Sequence, residues 1–319
     1  MNEMRLATFN LENLDWSPGR PEAFARRRAA LLPLLDDIDA DILCLQEIDA
    51  QKTSKHGPRA YLALDRLFDG TRYAGFHRFT SLRPGADTPA DVHNLAILSR
   101  WPIRIRRQIH HEIVPPWPWP PPRDGDVTPP PIAIGWDRPM LYAAVELPDG
   151  RLLHVVNLHL RAPRPVPVPT ARGEGSSRAL IEGQFVAALK REGQALEARL
   201  FAETIFDAEP DALLAICGDF NADEHDAPTR LLRGGRDQGE DAPRALLALE
   251  ERVAPASRYT VIHAGRPTLI DHILASHALA AMWRSTAILN AGLQDEFYAK
   301  DPIDGSLHAP VMAMFEISG

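Results

Sequence analysis

The chain has 319 residues, 45% hydrophobic and 24% charged, a globular composition that can bury a large core. Its net charge of -8 excludes a global positive field that draws in nucleic acid, though a local basic rim with bound cations can serve such a substrate. Two cysteines, Cys44 and Cys217, each lie in an apolar run with no CxxC pair and read as reduced core thiols.

At the N-terminus no basic segment precedes an apolar stretch, and no run in the chain reaches membrane-spanning length, which predicts a cytoplasmic protein without a membrane span. Residues 4 to 9 predict a first strand ending at Asn10. Pro21 opens a helical pattern running to Leu35, with Arg26, Arg27 and Arg28 on a solvated face. Asp41 to Gln46 predicts a second buried strand ending in the carboxylate of Glu47. Leu62 to Phe68 reads as a short helix and Tyr73 to Phe79 as a further strand. Asn94 to Ser99 is a strand whose polar exit is Arg100, and Ile103 to Ile113 alternates apolar and basic residues like a half-exposed strand.

A proline-dense stretch from Pro115 to Pro131 (insertion about 114–139) carries Trp117 and Trp119. It is expected to stay out of any sheet, as a passive surface loop or a stacking lid over a substrate. Leu141 to Leu147 and Leu152 to Leu160 read as paired strands about the turn Pro148-Asp149-Gly150. A second proline-rich segment follows (about 161–175), then the longest helical pattern, Ser176 to Phe206. Leu213 to Cys217 is a buried strand that stops at Gly218 and delivers Asp219 and Asn221. A Gly- and Arg-rich stretch, Leu232 to Arg244, leads to a short helix. The tail supplies Leu269 to Leu274, Arg284 to Leu289 and Ser306 to Val311. No repeat or linker divides residues 1–319, which predicts a single domain.

Short carboxylate and amide groups mounted at a strand end suit a hard cation and a phosphate. An Asx-turn, in which Asp219 and Asn221 bond only nearby backbone, is the bland alternative. Similar polar groups recur at other strand ends: Asn10, Glu47, His159, Asp271 and His308. The ordered series TFNLEN, LQE, NLAILSR, NLHL, GDFN, IDHIL and SxHxPV, spread over residues 8 to 311, resembles the endonuclease/exonuclease/phosphatase superfamily, whose fold is that of deoxyribonuclease I. The resemblance implies an α+β fold: a four-layer α/β/β/α sandwich of two mixed sheets packed face to face with helices outside.

It also implies roles. Glu47, with Asn10 beside it, ligates a divalent metal, Mg²⁺ or Mn²⁺. Asp219 orients or deprotonates the attacking water, and Asn221 holds that water or a phosphate oxygen. His159 donates to the scissile phosphate, and Asp271 fixes the tautomer of His308. Apart from the resemblance, Asn94 and Arg100 read as phosphate contacts, with simple surface solvation as the alternative. His272, next to Asp271, points to the opposite face and is not catalytic, and Asn157 bonds between strands. The implied substrate is a phosphate ester, with DNA or RNA cleaved most simply and with the Arg104 to Arg107 strand and the tryptophan insertion contacting it. A phosphomonoester, lipid headgroup or inositol phosphate is the alternative, and no protein partner is implied. The series departs from the family at Leu307, where Ser-Asp-His is usual. Either the site works with weaker metal affinity, Asp301 or Asp304 substituting, or the chain is a silent binding module.

Overall fold

The computed structural model describes residues 2–120, 130–167, 176–234, 242–299 and 303–317. Two six-stranded sheets form its centre. The first runs Trp283–Ile288, Val311–Ile317, Asn2–Leu14, Ile42–Ile48, Asn94–Ser99, His77–Thr80. The second runs Leu247–Ala248, Asp271–Ala275, Leu213–Asp219, Leu152–His159, Met140–Glu146, Ile103–Ile109. Both are mixed. The Asn2–Leu14 strand is parallel to Ile42–Ile48 and antiparallel to Val311–Ile317, and Leu152–His159 is parallel to Leu213–Asp219.

Strand alternation sorts the apolar residues into three packed seams. Met4, Leu6, Ile42 and Cys44 meet Val155, Ala215, Cys217 and Ile273 between the sheets. The outer face of the first sheet packs Phe9, Leu43 and Leu45 against helices α1 (Pro21–Ile38) and α2 (Leu62–Phe68). The outer face of the second packs Val156, Leu214 and Ile216 against α3 (Ser177–Ala208) and Leu232 of α4 (Ala227–Arg233). The result is the expected α+β sandwich of four layers. Cys44 and Cys217 are free and buried. Among the described residues no helix is long and apolar enough to cross a membrane.

Four local readings are corrected. Arg72–Gly75 is a 3₁₀ turn, not strand, because the Thr71 side chain caps it and the Tyr73 hydroxyl is pinned between Leu35 O and Ala40 N, each at 3.0 Å; strand begins only at His77. Arg27 is buried rather than solvated, its guanidinium donating to the carbonyls of Leu11, Glu12 and Ile303. The proline-rich insertion does enter a sheet. Trp117–Trp119 pairs with Ile132–Ile134 in a two-stranded ribbon, where Pro118 is tolerated because both strands are edges. Its Trp119 packs with Val166, Val186 and Ala187 beside α3. Finally, α4 precedes the Gly- and Arg-rich stretch, which is followed by a 3₁₀ turn (Leu249–Arg252) in place of the expected helix. Parts of three predicted segments (121–129, 168–175 and 235–241) and Asp301 lie outside the described residues.

Candidate active site

Register collects the functional side chains. In the second sheet His159 lies opposite Asp219 and Asp219 opposite Asp271, so three neighbouring strands present them side by side. All three share the alternation of Val155, Cys217 and Ile273 and face the first sheet. From that sheet Asn10, in step with Met4 and Leu6, faces them across the gap. A polar layer closes the apolar core beneath the cleft. Gln46 Nε2 donates to Asn157 Oδ1 (2.7 Å), and Asn157 Nδ2 donates to Leu45 O (3.0 Å) and Ala96 O (2.9 Å), joining the sheets.

Glu47 reaches the cleft differently. Simple alternation would turn it toward α1 and α2 with Leu43 and Leu45. Instead the register breaks between Leu45 and Ile48, and Glu47 adopts φ 57°, a bulge that swings its carboxylate to Asn10. Glu12, Asn13, His93 and Asn221 are also left-handed, and all surround the same cleft. Non-glycine residues hold this conformation at a cost, and such strain concentrates at functional sites. Gly218 is required for a different reason. With φ 140°, a Cβ there would lie 1.8 Å from Leu158 O of the adjacent strand.

Asn10 Oδ1 accepts the Glu12 N–H (2.9 Å), which orients Nδ2 toward Asp219 Oδ2 (2.9 Å) and Glu47 Oε1 (3.3 Å). The amide therefore holds two carboxylates together, and it turns a donor rather than a ligand oxygen toward them. Asp219 does form the Asx-turn, Oδ1 accepting from Asn221 N (2.8 Å), while Oδ2 remains in the cleft 3.3 Å from His159 Nε2. Turn and site coexist on one side chain. Asn221 commits one amide N–H to Leu160 O (3.0 Å).

His159 is buried, and its Nδ1 lies 2.6 Å from Arg138 Nη1. A guanidinium only donates, so Nδ1 is the acceptor and the ring proton sits on Nε2, facing Asp219 and Glu47. Burial and the Arg138 charge push its pKa well below the usual histidine range, keeping it neutral. His308 is the opposite case. Burial depresses it, but Asp271 (Oδ2 to Nδ1, 2.8 Å), Asp219 and Glu12 together lift it well above that range. Ser306 holds the closing segment, its hydroxyl donating to Asn10 O (2.7 Å) and accepting from His308 N (3.0 Å). Burial and the neighbouring Asp271 carboxylate raise Asp219 to about 7.

Glu47, Asp219 and His159 bring side-chain atoms within 4.8 Å of one another, and because His159 Nε2 carries the proton, the two carboxylates are the ligand atoms. Two close carboxylates whose contacts are a neutral amide and a neutral imidazole make an oxygen-rich, under-neutralised donor set, and this set fits a hard divalent cation. Asp271 Oδ1, buried and without a partner among the described residues, adds to the same negative cleft.

Two expected phosphate contacts are corrected. Asn94 is buried, with both amide N–H groups spent on Ile48 O and Ala90 O (2.9 Å each), so it has no donor left for a substrate. Arg100 follows Ser99, which lies opposite Ile42 at the far edge of the sheet from Ile48, and it pairs there with Asp41 (3.2 Å). The basic strand is also engaged elsewhere, Arg104 with Glu146 and Arg107 with Glu112. His272 faces away as expected, bonding Glu250 (2.5 Å) and Ala222 O (2.9 Å).

The model of the endonuclease/exonuclease/phosphatase family matches residues 7–292. The chain belongs to this family. Its fold is shared along nearly the full length by solved family structures. The mannosyl-6-phosphatase of Bacteroides thetaiotaomicron is 16% identical, with TM-score 0.57, over 97% of this chain and 98% of that one. The 3′ phosphatase NExo from Neisseria, bound to a product DNA hairpin, is 18% identical, with TM-score 0.55, over 98% and 100%. TDP2 of D. rerio, complexed with a single-strand DNA product, is 16% identical, with TM-score 0.56, over 99% and 100%. At these identities the likeness establishes the fold. No curated protein matches the sequence.

Family motifs did not single out three residues of the cleft. Arg138 sets the His159 tautomer, yet it follows a proline-rich insertion with no signature. His93 puts Nδ1 3.8 Å from Glu47. Glu12, two residues after Asn10, brings its carboxylate 3.9 Å from His308 Nε2, and burial raises its pKa. Leu307 is buried, and Asp304 pairs outward with Arg26. Among the described residues Glu12 approaches His308 at Nε2, the ring nitrogen opposite the one bonded to Asp271.

Proposed function

We propose that the protein is a divalent-metal-dependent phosphodiesterase, with nucleic acid ends or small phosphate diesters as substrates, acting by in-line attack of water on phosphorus. The carrying observation is the convergence of Asn10 and Glu47 from the first sheet, and His308 from the segment before its Val311–Ile317 strand, upon His159, Asp219 and Asp271 from the second. Glu47 would hold a divalent ion with Asp219 beside it, and Mg²⁺, with Mn²⁺ as substitute, would supply charge neutralisation for the phosphoryl oxygens.

Every other step belongs to the chain's own groups. Asp219 accepts the proton of a water lying between it and phosphorus, its Oδ2 being open to the cleft beside His159. His159 Nε2–H donates to a phosphoryl oxygen as charge builds there, Arg138 keeping that proton outward. The second amide N–H of Asn221 orients the water or a phosphate oxygen. Protonated His308, steadied by Asp271, places a positive charge opposite the carboxylates.

Supercoiled plasmid, single-stranded DNA, RNA, bis-p-nitrophenyl phosphate and inositol phosphates, each with Mg²⁺ and with chelator, form the test panel. Diester cleavage lost with chelator, with Glu47→Ala and with His308→Ala supports the proposal. Phosphate release from monoesters alone makes the enzyme a phosphomonoesterase. Turnover that appears only after Leu307→Asp makes the native chain a silent module.

A further inference from the structure

We infer that Arg138, Arg161 and His93 form an anion subsite beside the hydrolytic centre that takes a second phosphate group of the substrate. The inference rests on the proposed phosphate-ester chemistry and narrows its substrate class. A cavity of about 230 Å³ is lined by His93, Asp137, Arg138, Arg161 and Asp91, the last paired with Arg59 and Arg83, and Arg138 joins it to His159. Arg138 is half-buried, its guanidinium bonded to the neutral His159 ring, and no carboxylate lies within 4.0 Å of it among the described residues. Arg161 pairs with Asp137 through Nη1 (3.2 Å), but its Nε is buried with no hydrogen-bond partner. His93 Nδ1 is buried and likewise lacks one, and the residue is held at φ 58° so that its ring edges onto His159 with centroids 6.3 Å apart.

Buried donors without acceptors are costly and rare, and a cationic wall with spare N–H groups recovers that cost when an acceptor-only group arrives. Planar guanidinium forks match the oxygens of a phosphate. Asp137 limits the charge, since it also holds Lys190 (2.5 Å). Because Arg138 touches the ring that faces the scissile group, the second phosphate lies on the far side of that guanidinium from the ring. The substrate class is therefore an ester bearing two phosphates on neighbouring positions, either a nucleotide end or a polyol bisphosphate.

Inorganic phosphate is titrated into the metal-free protein with chelator present, following the arginine Nε–H signals by NMR, and hydrolysis is measured separately with Mg²⁺. Phosphate is expected to shift the Arg138 and Arg161 signals. The Asp137→Asn variant should bind phosphate more tightly, at least threefold, an increase that misfolding cannot mimic. A thymidine dinucleotide with a 5′ phosphate is compared with one lacking it, and inositol 4,5-bisphosphate with the 4-monophosphate. At least one pair should differ tenfold in kcat/KM, and Arg161→Gln should reduce that ratio toward one, with Arg161→Lys restoring part of it. Preference in the first pair identifies a nucleic acid end, and preference in the second a polyol. Unmoved arginine signals, Asp137→Asn without effect, or no preference in either pair overturns the subsite. Phosphate binding without any hydrolysis instead removes the proposed function and leaves the subsite standing.

Discussion

His159 carries the sharpest residue-scale consequence. Its Nε2 proton is aimed by a single contact, Arg138 to Nδ1 at 2.6 Å. Replacing His159 by Ala removes a pre-aligned donor and should lower kcat by about 10²–10³ with little change in stability. Replacing Arg138 by Gln keeps a donor but not the charge. The ring should then sample both tautomers, visible as a changed ¹⁵N pattern for His159, and kcat should fall more than KM rises. A ring whose nitrogen shifts stay put in Arg138→Gln would separate the two residues. Metal affinity should also depend on pH in one direction. Asp219 titrates at about 7 without metal, so below that pH each ion bound must displace a proton, and affinity should drop about tenfold per unit. Above about 8 it should level. Calorimetry in buffers of different ionisation enthalpy reads the released proton, and equal affinity at pH 6 and 8 would count against Asp219 as a neighbour of the ion.

Elements explain why some residues were legible in sequence and others were not. Asp219, Asp271 and His159 sit at strand ends within motifs, and parity in a two-residue repeat already puts them on the core side. Glu47 was found by its motif alone, since parity assigns it to the wrong face and only a bulge corrects this. Arg100 was misplaced because a strand has two ends, and nothing local says which one meets the cleft; antiparallel pairing with Ile42 decided it. Arg138 depends on a contact between segments far apart and leaves no local pattern, while Glu12 lies within TFNLEN but reaches the cleft only through its left-handed turn. The insertion's anchor was equally hidden. Glu197, buried on α3, accepts from His111 N, Ile113 N and Trp136 Nε1 at 3.0–3.1 Å. Glu197→Ala strands three donors and should cost about 3 kcal/mol or more, read by chemical denaturation, while the cleft chemistry of the surviving folded fraction is unchanged.

The whole molecule couples fold to ion. Asp219 and His308 both have folded pKa values above their unfolded ones, so each contributes stability that is present at low pH and lost as pH rises through the folded value. His159 works in the opposite sense, penalising the fold below its unfolded pKa near 6.5. Asp219's contribution is lost between its unfolded value near 3.9 and about 7, and His308's as pH rises above about 6.5, so the metal-free protein should lose melting temperature with rising pH. Mg²⁺ binds the folded cleft and should reverse this, stabilising by about 2.7 kcal/mol at a hundred times Kd. The pH slope measured with and without chelator checks both signs.

The meeting of two sheet edges around one divalent ion is tested most directly by counting bound Mn²⁺ with electron paramagnetic resonance. Wild type, Glu47→Gln and Arg100→Gln are titrated alongside diester hydrolysis. Wild type and Arg100→Gln should bind tightly and turn over alike, while Glu47→Gln should lose binding and turnover together. Tight Mn²⁺ binding retained in Glu47→Gln would contradict the assignment of the ion to this cleft.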